Sequence, residues 1–134
     1  MVEPPSILVD RSLGTNAVPA VFRNAGFHTL TIDDVFGPRP VPDTEWIELA
    51  DDNGMVVVCK DNKIRTNPLE RQALFNSSIR VFCLTNGHLG VAEQAERFEQ
   101  NMTRIRRRLR TQGGRPWVYA VHATELRRLH LYQP

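Results

Sequence analysis

Apolar residues fall along the chain in short runs and in helical stripes, and the two patterns alternate. Ile7, Leu8 and Val9 form a run that stops at Asp10, as a short buried strand does. Val18, Val21, Phe22 and Ala25 then recur at helical spacing, and Gly26 stands where such a helix would stop; Pro19 is acceptable there only in the first turn. Residues 27–32 are rich in β-branched side chains and predict a second strand running into Asp33 and Asp34. The prolines at 38, 40 and 42 exclude regular structure, because each removes a backbone donor. Asp43 opens a helix with Trp46, Ile47 and Ala50 on one face, and Asn53-Gly54 closes it.

Residues 55–59 are apolar throughout, which predicts a third strand buried on both faces, as in a parallel sheet, ending at Lys60-Asp61. A helix over 68–75 has Pro68 in its first turn. A fourth strand over 79–84 ends at Thr85-Asn86-Gly87. Val91, Ala95, Phe98, Met102, Ile105 and Leu109 then recur in steps of four and three, predicting one continuous helix over 91–109. Its glutamates lie in the first half and its arginines in the second, complementing the helix dipole. Under three heptads long, the stripe reads as a core face rather than a coiled-coil seam. Residues 117–121 predict a fifth strand, and the tail through Leu126, Leu129 and Leu131 is ambiguous. The alternation predicts an α/β domain with a central, mostly parallel sheet of four to five strands flanked by helices. No repeat or linker divides residues 1–134, so one domain is expected.

Composition narrows this only slightly. The chain has 134 residues, 41% hydrophobic and 24% charged, enough for an ordinary core, and a net charge of +2 that does not itself demand a nucleic-acid partner. The run Arg104, Arg106, Arg107, Arg108, Arg110 is more specific. Arginine forks suit phosphates, so Arg104, Arg107 and Arg108 are candidate contacts for RNA or a protein partner, and a solvated helix end is the plainer alternative. Cys59 and Cys83 each close an apolar run and read as buried thiols; two cysteines make neither a disulfide framework nor a zinc site. The four histidines lack ligand spacing. No segment reaches the roughly 18 apolar residues of a membrane span. The N-terminus has neither the basic start nor the apolar stretch of a secretion signal, so the cytoplasm is the expected location.

The acids carry the chemistry. Asp10 follows the first strand, Asp33-Asp34 the second and Asp61 the third, while Asp43 starts a helix that can reach the same edge. Ligands of open parallel sheets bind at the carboxyl ends of strands, where strand order reverses. Converging carboxylates repel unless a cation sits among them, and hard oxygen donors favour magnesium or manganese over zinc. Such ions support in-line phosphoryl displacement, so the pattern points to metal-assisted phosphodiester hydrolysis. Arg11, Lys60, Lys63 and Arg65 stand beside the acids and could hold phosphates. Each acid also has an ordinary explanation: Asp33 or Asp34 as turn former, Asp43 as helix cap, Asp51 and Asp52 as surface charges. Of Asp33 and Asp34, the latter is favoured because it stands closer to Gly37.

The succession Ile7-Leu8-Val9-Asp10, Asp34 to Gly37, Asp43-Thr44-Glu45-Trp46-Ile47 and Val57-Val58-Cys59-Lys60-Asp61 resembles the PIN-like nuclease domains, in particular the short subgroup of VapC-type toxins and Mut7-C-like domains. Motifs cover residues 6–86, and strand–helix order alone covers the C-terminal helix and last strand at 90–122. The resemblance implies an acidic site of Asp10, Asp34, Asp43 and Asp61 that binds Mg2+ (or Mn2+). It implies an endoribonuclease acting on RNA, the toxin of a VapBC-type toxin–antitoxin system, with a cognate antitoxin protein and often a homodimer. The sequence departs where the last motif usually carries a second carboxylate and an aromatic, since Asn62, Lys63 and Ile64 stand there. That departure keeps open a non-catalytic RNA- or protein-binding module. A receiver-like signalling domain is disfavoured, because no lysine follows a late strand.

Overall fold

The structure is a computed structural model and describes residues 4–60, 67–85, 88–110 and 114–131. The described residues hold a six-stranded sheet: β1 (Ile7–Val9), β2 (Thr29–Thr31), β3 (Val56–Cys59), β4 (Arg80–Leu84), β5 (Trp117–Val121) and β6 (Leu126–Leu129). The spatial order is β2-β1-β3-β4-β5-β6; the first five in space are parallel and β6 pairs antiparallel with β5. The helices are α1 (Ala17–Asn24), α2 (Ile32–Phe36), α3 (Asp43–Asn53), α4 (Pro68–Phe75), α5 (Val91–Gln100) and α6 (Met102–Leu109). This is the expected α/β architecture, enlarged at one edge by the tail that the sequence leaves ambiguous.

Strand side chains alternate between faces with period two, and each face has its own core. Ile7, Val9, Val56, Val58, Phe82, Leu84, Tyr119 and Val121 pack with Phe22 of α1, Phe98 of α5 and Ile105 of α6. Leu8, Val57, Cys59, Val81, Cys83 and Val118 pack on the other side with Ile32 of α2, Trp46 and Ile47 of α3, and Leu74 of α4. Burial on both faces explains why β3 reads as an unbroken apolar run. Cys59 and Cys83 are buried thiols, not joined in a disulfide, and stand in register across β3 and β4.

The helix layers fix where the chain reverses. From β1 it crosses to β2 over the α1 face, and it returns from β2 to β3 over the α3 face, so β1 and β3 flank a switch point. The β3–β4 and β4–β5 connections step the same way across the sheet but over opposite faces. They therefore have opposite hands, against the usual uniformity of such crossovers. The consequence is that α5 lies beside α1, with the Phe22 and Phe98 rings 5.5 Å apart.

Two elements differ from expectation. The helix expected to run unbroken over 91–109 divides at Asn101, whose backbone (φ −98°, ψ 4°) departs from helical values. Asn101 is fully buried, and its Nδ2 donates to the carbonyls of Arg97 (2.8 Å) and His122 (2.7 Å). The side chain ties the helix to the chain leaving β5, a long-range bond that periodicity cannot reveal. Val91, expected in the core stripe, is 62% exposed, because it precedes the part of α5 that reaches the sheet. The second departure is α2, which occupies residues expected to be strand end and turn. A capping box builds it: Thr31 Oγ1 accepts from Asp34 N–H, and Asp34 accepts from Thr31 N–H. No helix of the described residues is long and apolar enough to cross a membrane.

Asn101→Ala leaves the His122 carbonyl without this donor. It is expected to lower the free energy of unfolding by about 1–3 kcal/mol, read by urea denaturation, while the far-ultraviolet circular dichroism of the native state stays unchanged.

Candidate active site

Because β1 and β3 run parallel and adjacent, the residues following them meet. Asp10 N–H donates to Val58 O (2.9 Å), which seats Asp10 against the leaving end of β3. A 3-10 turn over Arg11–Leu13 follows at once, with Asp10 as its cap. Asp10 Oδ2 accepts from Ser12 N–H (3.3 Å) and from the Ser12 hydroxyl (2.6 Å). Ser12 Oγ in turn accepts from Lys60 N–H (3.3 Å), so one serine joins the ends of both strands and fixes the Asp10 carboxylate between them. Sequence reasoning passed over Ser12. The signal was present, since a hydroxyl two residues after an acid is the spacing of an Asx-type turn.

Asp43 reaches the same rim from α3. Pro42, not Asp43, occupies the cap position, and no side-chain cap bond forms. Freed from capping, Asp43 Oδ1 accepts from the indole N–H of Trp46 at 2.8 Å. Trp46 is only 3% exposed, so a buried ring sets the carboxylate's orientation. The Cys59 thiol records the convergence. Its hydrogen bond with Cys83 and its burial push its pKa well above the usual thiol range, and the charges of Asp10 and Asp43 both add to that rise. Two carboxylates from elements distant in sequence thus act on one sulfur at the end of β3.

The other expected site residues are placed differently. Asp34, favoured as a cleft ligand, turns its carboxylate onto Thr31 N–H (2.8 Å) and stands 3.6 Å from Arg23. That backbone bond, with help from Thr31 Oγ1 and Arg23, lowers its pKa. Its neighbour Asp33 pairs with Arg11 Nε at 2.7 Å. Arg11, expected to hold phosphates, also donates to Gly37 O (2.8 Å) and so braces the end of α2 against the 3-10 turn. Lys60 lies at the rim, half-buried. Asp61, Lys63 and Arg65, and the turn residue Asn86, lie outside the described residues. Among the described residues, no three His, Cys, Asp or Glu side chains group closely enough to hold a metal ion.

The arginine run lies away from this rim. Arg106 donates to Ala25 O and covers the Phe27 ring, just ahead of β2, and Arg108 sits 4.7 Å from the Tyr119 ring centroid. Arg104 and Arg107 are exposed. The run therefore leads toward the entering ends of the strands, opposite the end that carries Asp10.

The donor chemistry suits a hard divalent cation. Asp10 and Asp43 offer carboxylate oxygens, and the sulfur beneath them is a buried thiol held in its protonated, poorly ligating form.

The Asp34 cap has a pH signature. Its folded pKa is depressed, so the stabilisation is complete above the unfolded value of about 3.9 and is lost as pH falls through the folded value. Asp34→Asn is expected to be less stable than wild type at neutral pH by under about 1 kcal/mol, the carboxylate being half-exposed. The difference should close in acid, as read by urea melts from pH 7 to pH 2.

Comparison with known proteins identifies the family. The profile of the family described as "PIN like domain" matches residues 5–86. A Mycobacterium tuberculosis protein named "Putative ribonuclease VapC45" is 32% identical over 126 residues, which span 92% of this chain and 90% of that protein. No solved structure matches. The profile covers more than half of the chain, residues Asp10, Asp43 and Asp61 among those matched, and the chain belongs to the PIN-like domain family.

Proposed function

We propose that this protein is a metal-dependent endoribonuclease and the toxin of a VapBC-type toxin–antitoxin pair. The observation that supports the reading is the position of Asp10 against the leaving end of β3, at the switch point between β1 and β3, with its carboxylate held by Ser12, while Asp43 at the start of α3 is held by Trp46. Family membership and the ribonuclease name of the mycobacterial relative support it. Asp10 and Asp43 would hold Mg2+ or Mn2+, with Asp61 supplying a further carboxylate from the segment after β3. Asp34 would join them only by leaving its cap on Thr31, at a cost of about 1 kcal/mol. A bound divalent ion supplies a water activated for attack and a counter-charge for the phosphoryl oxygens.

The chain's own residues do the positioning. Ser12 and Trp46 fix the two carboxylates before any ligand arrives, so little reorganisation accompanies binding. The Arg11–Asp33 pair keeps the 37–42 loop next to the cleft. Lys60 offers a cation to a substrate phosphate at the rim. An antitoxin protein would act by covering this rim, since the acids there are the whole of the proposed chemistry.

Cleavage of a fluorophore-labelled RNA in Mg2+ tests the reading. Asp10→Asn and Asp43→Asn are each expected to lose more than the roughly 10–100-fold that removal of an outer partner costs, with melting curves that still show a folded protein. Full activity in both variants would end it. A second readout needs no turnover. Trp46 donates to Asp43, so Mn2+ bound there should quench its fluorescence in the wild type and leave the emission of Asp43→Asn unchanged.

A further inference from the structure

The two edges of the sheet are finished differently. Ile7 N–H donates to His28 O, so the outward backbone groups of β2 belong to Thr29 and Thr31. Side chains of the same chain occupy them: Thr29 O accepts from Arg23 (3.0 Å), and Thr31 N–H donates to Asp34 (2.8 Å). β6 has no such cover. His122 N–H donates to Glu125 O (2.9 Å), whereas Trp117 N–H turns the other way, to Ile79 O. Antiparallel bonding alternates from there, so Arg127 and Leu129 face Ala120 and Val118 of β5. The N–H and C=O groups of Leu126 and Arg128 point away from the sheet, and no hydrogen bond reaches them among the described residues.

Side chains along this edge alternate in chemistry as well as in direction. Arg128 stands beside Tyr119, on the face of α5 and α6, and is exposed. Arg108 lies 4.7 Å from the centroid of the same ring, and neither arginine pairs with a carboxylate among the described residues. Leu129 and Leu131 lie on the opposite face. There they line a cleft of about 850 Å3 with Pro116 and Phe75, whose ring is 38% exposed. No aspartate or glutamate lines that cleft. One face of the edge thus offers positive charge and the other an apolar recess.

We propose that the edge of β6 is a docking site for an extended, acidic segment of a partner protein, added to the sheet as a further strand. Its backbone would take up the free groups of Leu126 and Arg128. Its acidic residues would lie over Arg128 and Arg108, and the apolar residues alternating with them over Leu129 and the cleft. Charge chooses this occupant over a second copy of the chain. Two β6 strands paired about residue 127 or 128 set Arg127 against Arg127 or Arg128 against Arg128, and like charges directly opposite resist pairing. A nucleic acid would answer the arginines but has no ladder of alternating donors and acceptors to match a strand edge. The inference does not depend on the nuclease reading, since β3, β4 and β5 separate this edge from β1 and Asp10.

The test is fluorescence anisotropy of a labelled peptide of roughly eight residues that alternates glutamate and valine, added to the full chain. It is expected to bind, more weakly as salt rises, whereas a lysine–valine peptide of the same length should not. Arg128→Glu should raise the Kd at least about tenfold. Arg128→Pro should weaken binding beyond Arg128→Gln by up to about tenfold, because it also removes the outward N–H. An edge strand tolerates proline at such a position, and melting curves check that the fold survives. Two N-methylated peptides separate backbone docking from charge attraction. Methyl groups on one alternate set of residues should abolish binding, and on the other set should leave it. Equal behaviour of the two, or no binding of the glutamate–valine peptide, would overturn the inference. So would a wild-type dimer in sedimentation that Arg128→Pro dissociates, or a single-stranded RNA in EDTA whose binding Arg128→Gln weakens more than it weakens the peptide's.

Discussion

The structure depends on the shared direction of five neighbouring strands. Parallel pairing needs a crossover after every strand, and each crossover leaves from one rim and re-enters at the other. Every residue that directly follows a parallel strand therefore lies on one edge of the sheet. Asp10 and Lys60 are such residues, and their strands are immediate neighbours in register. The backbone bond from Asp10 N–H to Val58 O holds Asp10 against the leaving end of β3 with no special device beyond this. What the ladder leaves open is the direction of each carboxylate, and the side chains of Ser12 and Trp46 settle that locally.

The same polarity separates charge. Acids gather where strands leave and where α2 and α3 begin, and helix N-termini favour negative charge there. The long arm of α5 and α6 runs back across the sheet and carries its arginines toward the entering ends. A net charge of +2 thus conceals two unlike ends. The acidic end is almost self-neutralised by Arg11, Arg23 and Arg39, whereas the basic end keeps exposed guanidinium groups.

The fold was legible wherever information is local and repeats. Strand runs, the α3 stripe of Trp46, Ile47 and Ala50, and the Pro68 start of α4 all express a period or a stop signal. Of the expected acids, the position of Asp10 beside the leaving end of β3 was legible, since it needs only the parallel topology, whereas Asp34 folds onto its own cap and Asp61 lies outside the described residues. The parts that escaped are of two kinds. The Thr31–Asp34 capping box was readable, but two adjacent aspartates before a glycine looked like a turn, and a helix of five residues has almost no period to show. Asn101 and the Arg11 brace lie beyond reading of this kind. Their partners, His122 and Gly37, are 21 and 26 residues away, and only the finished fold brings them within bonding distance.

The division of labour between Asp33 and Asp34 shows why residue type alone assigns such sites poorly. Both carboxylates follow β2, and both could in principle turn to the cleft. Helix geometry sends them apart: Asp34, third in α2, folds back onto its own cap, while Asp33, one position earlier, meets Arg11 across the 3-10 turn. Each thereby gains a charge-assisted bond that a cation would have to replace. Asp43 has the opposite history. Pro42 takes the cap position from it, its carboxylate keeps only a neutral indole N–H, and an oxygen held by a neutral donor retains its full charge for a ligand. Among the described acids of this rim, Asp10 and Asp43 are held by neutral donors alone, and the proposed ligand role falls on the two whose charge no arginine pairs.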